Sequence, residues 1–175
     1  MDWRQNTPFA SVEGVIVEIV PGRAADGNID GCSLFFTVED DEGNTANFLV
    51  HARTYVVDAV MLREGMRAGF WYRTDEPIPL IYPPQYRAVA AAQLGNERTV
   101  VVDHFDEALV NTAGTLQLLP NRFTAVRTTN GQIYAGSLAD RDLAVVYITS
   151  TKSIPAQTTP TQVIVLCDSG EQGCL

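Results

Sequence analysis

The chain has 175 residues, with 21 Asp and Glu against 12 Lys and Arg and a formal net charge of −9. Apolar residues make up 46 % and charged residues 19 %, a balance that folds into a globule rather than staying disordered. No apolar run approaches the ~20 residues of a membrane helix. The basic residues are eleven scattered arginines and Lys152, not the basic stripe that nucleic-acid phosphates demand.

No apolar h-region follows Met1, so no signal peptide is visible. Phe9 to Val20 alternates apolar and polar residues and predicts a long first strand, stopped by Pro21-Gly22. Arg23 to Gly31 reads as a polar loop. Cys32 to Glu39 and Asn44 to His51 read as a hairpin turning at Asp40-Asp41-Glu42-Gly43. From Arg53 to Arg63 the period changes. Val56, Val57, Val60 and Met61 fall at helical spacing and predict one short helix ending near Gly65. Two further strands follow, Met66 to Tyr72 and Ala88 to Ala92, with a proline-rich segment between them.

The second half predicts short strands throughout. They run Thr99 to Val110, Thr115 to Leu119, Arg122 to Val126, Ile133 to Ala135, Leu143 to Ile148 and Gln162 to Cys167. A turn is expected at Asn130-Gly131, where the first half has its helix.

The proline segment occurs twice. Tyr72 to Val89 reads YRTDEPIPLIYPPQYRAV, and Tyr147 to Val165 reads YITSTKSIPAQTTPTQVIV. With one residue inserted, Tyr72, Thr74, Ile78, Pro79, Pro84 and Val89 align with Tyr147, Thr149, Ile154, Pro155, Pro160 and Val165. Upstream, Thr54-x-Val56 and Leu62 have counterparts in Thr124-x-Val126 and Leu138. Proline has no N–H to give and biases its predecessor to extended geometry, so each copy reads as strand, stiff loop, strand. The order of three strands, a helix and two strands is that of the five-stranded OB barrel. The expected fold is therefore all-β: two tandem OB-like barrels at 9–94 and 97–167, the second abbreviated, with one short helix in the first. A flexible tail is expected at 168–175. Units of this size bury little surface alone and would gain from packing on each other.

Several groupings suggest chemistry. Asp26-Gly27-Asn28-Ile29-Asp30-Gly31 opens like a calcium loop, but its twelfth position is Thr37 where a bidentate Glu is needed. Asp26, Asn28 and Asp30 are thus a weak metal candidate beside the simpler reading of a polar turn. His51 and His104 are the only histidines, too few for a zinc site with Cys32, Cys167 and Cys174 in no CxxC arrangement. Cys32 reads as a small buried group, and Cys167 could close a loop with Cys174 in an oxidising compartment. No P-loop, G-x-G-x-x-G or G-x-S-x-G is present, so no cofactor and no catalytic residue is assigned. Trp71, Tyr82 and Tyr86 gather around the first proline loop, which borders the usual ligand face of an OB barrel. They are the candidate ligand-binding residues.

The phrases IYPPQYRAV and SIPAQTTPTQVIV resemble the loops of uncharacterised secreted or lipid-anchored OB-like β-barrel proteins of Gram-positive bacteria. The resemblance implies an extracellular or cell-envelope setting and carries no activity. The expected function is a non-catalytic binding or scaffolding module for a protein, peptide or glycan. The alternatives are an enzyme with a site between the two β domains, using His51 or His104, and an oligonucleotide binder, which the charge of −9 disfavours.

Overall fold

The computed structural model describes residues 7–95 and 97–167, and every regular element longer than one turn is a strand. The chain divides into two units, Phe9–Gly95 and the remaining described residues.

The first unit contains β1 (Phe9–Arg23), β2 (Ile29–Glu39), β3 (Thr45–His51), β4 (Tyr55–Val56), β5 (Arg67–Arg73), β6 (Gln85–Arg87) and β7 (Ala90–Gln93). They form one sheet in the order β4-β7-β5-β1-β2-β3-β6. Only Ala88 and Val89 separate β6 from β7, yet β6 runs parallel to β3 while β7 runs antiparallel to β5. The Ala88 N–H donates to the Leu49 carbonyl at 3.0 Å and the Val89 N–H to the Trp71 carbonyl at 2.8 Å. One stretch of chain therefore joins both sides of the sheet, and the hydrogen bonding runs from β1 round to β1.

Strand alternation sends Ile16, Phe36, Val38, Phe48, Phe70 and Ala91 to a common core. Where β1 crosses the β2 end, Gly14 lies against the Glu39 carbonyl, and a Cβ there would collide with it. A bulge between Ile16 and Glu18 resets the alternation, so that Ile19 packs inward. Pro21 does not end β1, contrary to the sequence reading. Beyond Ile16, which still bonds Gly65 and Met66, the strand pairs only with β2, and proline is tolerated where the other side carries no ladder. The hairpin thus runs on to Arg23 opposite Ile29, past the core, which leaves Cys32 exposed rather than buried.

The predicted helix at Arg53–Arg63 is absent. Tyr55–Val56 pairs with Ala90–Ala91, and only Val57–Ala59 makes a single 3₁₀ turn. β-Branched valines suit an extended chain, and Asp58 and Ala59 at φ of 59° and 52° cannot continue a helix. Val57 is nevertheless buried, and Val56 and Val60 pack on the core as a plug would.

The second unit contains β8 (Thr99–Phe105), β9 (Leu116–Leu118), β10 (Ala125–Thr128), β11 (Arg141–Tyr147), β12 (Ala156–Thr158) and β13 (Gln162–Val165). The larger sheet has the order β10-β13-β11-β8, and β12 pairs in parallel with β9. The expected strand to Val110 stops at Phe105, because Asp106 turns the chain by accepting the Ala108 and Val110 N–H groups. Between β8 and β9 the chain makes only single bridges, Phe105 to Asn111 and Val110 to Gln117, among the described residues, together with turn hydrogen bonds such as Thr112 N–H to the His104 carbonyl. Ile133 likewise makes one bridge, to Arg127, across the expected Asn130-Gly131 turn. Phe105, Leu116, Leu118, Leu143, Val145, Val163 and Val165 form the core.

The two units repeat a set of hydrogen bonds. Thr54 Oγ1 donates to the Ala88 carbonyl and accepts the His51 N–H; Thr124 Oγ1 donates to the Pro160 carbonyl and accepts the Asn121 N–H. β4 runs parallel to β7 as β10 does to β13. The Thr161 N–H donates to the Val146 carbonyl as Val89 does to Trp71. These bonds correct the alignment drawn from sequence. Tyr72 still matches Tyr147, but Ala88 matches Pro160 and Val89 matches Thr161, so Pro83 matches Pro155 and the Ile78/Ile154 and Pro79/Pro155 pairings fail. The Tyr82–Pro83 and Ile154–Pro155 bonds are both cis. The length difference lies in the loop before these prolines, where the first copy is longer. Thr54→Val and Thr124→Val are each expected to lower unfolding free energy by about 1–3 kcal/mol, because each leaves a carbonyl and an N–H unpaired. Urea midpoints measured for both variants check this. The 168–175 tail and the Cys167–Cys174 pairing lie outside the described residues.

Candidate functional site

Along β2 and β3 the residues facing the core alternate with residues facing out. The outward set forms two rows across the sheet. In one, Val20 is paired with Phe35, Phe35 with Leu49, and Leu49 with Arg87. In the next, Glu18, Thr37, Asn47 and Gln85 follow one another, and Thr37 Oγ1 donates to Asn47 Oδ1 at 2.8 Å. An apolar row thus lies beside a polar one.

The 73–84 loop covers the β6 end of these rows and encloses a cleft of about 400 Å³. Phe35, Leu49, Gln85 and Arg87 form one wall, and Glu76 to Pro79 form the other. Arg73 anchors the loop at its root: its guanidinium binds Asp75 at 3.0 Å and lies over the Phe9 ring. Asp75 is held below the usual carboxylate range by its hydrogen bonds from Arg73. The inner lining is Tyr72 stacked on Tyr86, with ring centroids 3.8 Å apart, and both rings approach Phe48. Burial, then the hydrogen bond with Tyr86, pushes the Tyr72 hydroxyl up to about 12, so it stays protonated.

The three sequence candidates separate. Tyr86 lines the cleft. Tyr82 is 84 % exposed on the outer loop with Leu80 and Ile81. Trp71 is 4 % exposed and faces away from Phe70 and Tyr72, its ring against Gly69. Composition marks aromatic residues but not the face each one takes.

Beyond Leu49 on the same outward face comes His51. Its Nδ1 accepts the Arg53 N–H at 2.9 Å, which leaves Nε2 as the protonated nitrogen of the neutral ring. Burial, then the charges of Arg87 and Arg53, hold His51 below its ordinary value. The sequence reading missed Phe35, Leu49 and Arg87. A signal was present: Leu34-Phe35-Phe36 and Phe48-Leu49-Val50 are unbroken apolar runs, more than one buried face requires.

His104 lies in the second unit. Its Nδ1 meets Asp142 at 2.7 Å and its Nε2 meets Asp140 at 2.9 Å. Asp103 accepts the His104 backbone N–H together with hydrogen bonds from Thr112 and Ala113, while the His104 ring nitrogens are taken by Asp142 and Asp140. Burial disfavours the charged ring, but hydrogen bonds to Asp142 and Asp140 outweigh it and raise His104 above its ordinary value. A raised group stabilises the fold fully below its unfolded value near 6.5 and loses that contribution as pH rises through the folded value. The thermal midpoint should therefore fall as pH climbs above 6.5, and the slope should flatten in His104→Asn; scans at several pH values check both.

Asp26 and Asp30 serve the β1–β2 turn. Asp26 accepts the N–H and the side-chain amide of Asn28, and Asp30 accepts the Cys32 N–H. Hydrogen bonding to Asn28 lowers Asp26. Among the described residues no three His, Cys, Asp or Glu side chains are placed to hold a metal ion, and no helix is long and apolar enough to cross a membrane.

Comparison with protein-family models, curated proteins and solved structures finds no match.

Proposed function

We propose that this protein is a non-catalytic binding module of two OB-like β units, the second abbreviated, that takes its ligand in the cleft beneath the 73–84 loop. The order of hydrogen-bonded strands in the first unit, β1-β2-β3-β6/β7-β5, supports the barrel reading. In such barrels the face of the second and third strands, with the loop between the fourth and fifth, receives ligands. The second unit follows the same order with its second strand reduced to the bridges at Val110 and Asn111. The observation that carries the function is the cleft itself, continuous with the apolar row Val20, Phe35 and Leu49. Its size suits a side chain or a short segment, and its few polar groups would orient it. His104 has both ring nitrogens engaged by carboxylates, which supports binding over acid–base catalysis. The loop resemblance supports an envelope setting.

Leu49→Asp tests the site. Leu49 faces out, so the fold should tolerate the change. A carboxylate in the apolar cleft should cut affinity by roughly tenfold or more, since an uncompensated polar group costs about 1–3 kcal/mol. Binding to arrayed peptides and glycans, with the thermal midpoint as control, reads the effect. Unchanged binding would place the ligand elsewhere.

A further inference from the structure

The proposed cleft leaves its ligand class open, and two features of its walls narrow it. The first is what its aromatic rings are doing. Sugars and unstacked bases are held on free aromatic faces. Tyr72 and Tyr86 cover each other, Phe48 is stacked on Phe70, and Trp71 is buried on the other side of β5. Of the rings on the cleft lining, Tyr72 and Tyr86 use their stacking surface on each other, and Phe35 alone has no ring against it among the described residues. What remains for a ligand is aliphatic and proline surface from Leu49, Pro77, Ile78 and Pro79, with the Phe35 ring. Such a lining accepts an apolar side chain.

The second feature is charge. Arg87 lines the cleft, pairs across the sheet with Leu49, and makes no ion pair with a carboxylate among the described residues. His51 follows Leu49 on the same face of β3, and the charges of Arg87 and Arg53 are near enough to disfavour a third on its ring. Its Nε2–H remains a donor, because Nδ1 is taken by the Arg53 N–H. A guanidinium on the cleft lining, Arg87, thus has an imidazole N–H next to it along the same face of β3, in a chain of net charge −9. Glu76 is the one carboxylate on the lining, on the loop wall, and Arg73 beside it is neutralised by Asp75. A long polyanion would be repelled by the chain as a whole, whereas a single carboxylate at Arg87 would meet a local cation, with Glu76 on the opposite wall.

Resting on the cleft reading, we infer that the ligand is a peptide segment with a free C-terminal carboxylate, its end group held by Arg87 and the His51 Nε2–H and its last apolar side chain seated between Leu49, Phe35 and Ile78. A guanidinium gives a carboxylate paired, charge-assisted hydrogen bonds, which an amide cannot reproduce.

The test uses a degenerate octapeptide library tethered through its N-termini and made in two forms, free acid and C-terminal amide. Oligogalacturonate and oligo-dT serve as carboxylate and nucleic-acid controls. The full chain should bind free-acid peptides ending in an apolar residue roughly tenfold more tightly than their amides, the scale of one charge-assisted contact. Arg87→Gln should erase that preference while leaving the thermal midpoint unchanged. Leu49→Asp should abolish binding of both forms. If acid and amide bind alike but Leu49→Asp still abolishes binding, the cleft stands and the carboxylate inference falls. If Leu49→Asp binds like the parent chain, the cleft reading falls as well. Preferred binding of oligogalacturonate or oligo-dT, lost in Arg87→Gln, would overturn the peptide assignment.

Discussion

Phe48→Ala is expected to remove most of the stability of the first unit. Phe48 has no exposed surface and lies opposite Phe36 on β2 and Tyr86 on β6. Its ring stacks on Phe70 with centroids 4.9 Å apart and meets Tyr86 at 5.4 Å. Truncation leaves a cavity that these aromatic neighbours cannot collapse to fill, and Phe→Ala changes of this kind cost about 3–5 kcal/mol. A whole domain holds only about 5–15 kcal/mol. Tyr86 lines the cleft, so the loss should reach the proposed binding face too. Phe48→Leu keeps most of the volume and should cost less than about 1.5 kcal/mol. Urea unfolding with amide exchange on β2, β3 and β6 measures both variants. A shift below about 1 kcal/mol for Phe48→Ala would mean that the ring is not the keystone of this core.

Asn111→Ala is the corresponding expectation for the second unit, by a different mechanism. Asn111 is 7 % exposed, and its Oδ1 accepts the N–H groups of Thr115 at 2.8 Å and Leu116 at 2.9 Å. Its Nδ2 donates to Thr115 Oγ1 at 3.0 Å. One side chain therefore shapes the turn that takes the place of a full second strand. Alanine leaves two backbone donors without partners, one on buried Leu116 that costs about 1–3 kcal/mol and one on exposed Thr115 that water partly satisfies, for a loss of about 2–4 kcal/mol in all. Asn111→Asp keeps the acceptor and should retain more of the stability. Exchange rates of the Thr115 and Leu116 amides report the bonds directly: both should rise in the alanine variant and much less in the aspartate variant.

The strands of the first unit were legible because period-two alternation is a local property of β1 to β3. The helix was misread for a related reason. Val56, Val57 and Val60 fit a helical stripe over one turn, but Tyr55–Val56 is held as a strand by Ala90–Ala91, which lies far along the chain. The repeat was legible in its residue types and misaligned in its register. Prolines catch the eye, whereas the equivalence is fixed by Thr54 and Thr124, whose hydroxyls each reach a carbonyl in the last strand region. The site was half legible. The proline loop was found, but the choice between Trp71 and Tyr86 depends on which side of β5 and β6 faces the cleft. Arg87 became visible only when β6 was laid beside β3.

The short span Ala88-Val89 has a consequence for how such a chain can diversify. It is the point where one strand hands over from β3 to β5, so adding a single residue there would turn every later side chain of β7 to the wrong face. The 73–84 segment, which forms one wall of the cleft, is under no such rule. Doubling a loop's length costs only about 0.6 kcal/mol in closure entropy. A chain built this way can therefore lengthen, shorten or rewrite the loop that walls the cleft while the frame beneath it stays in register.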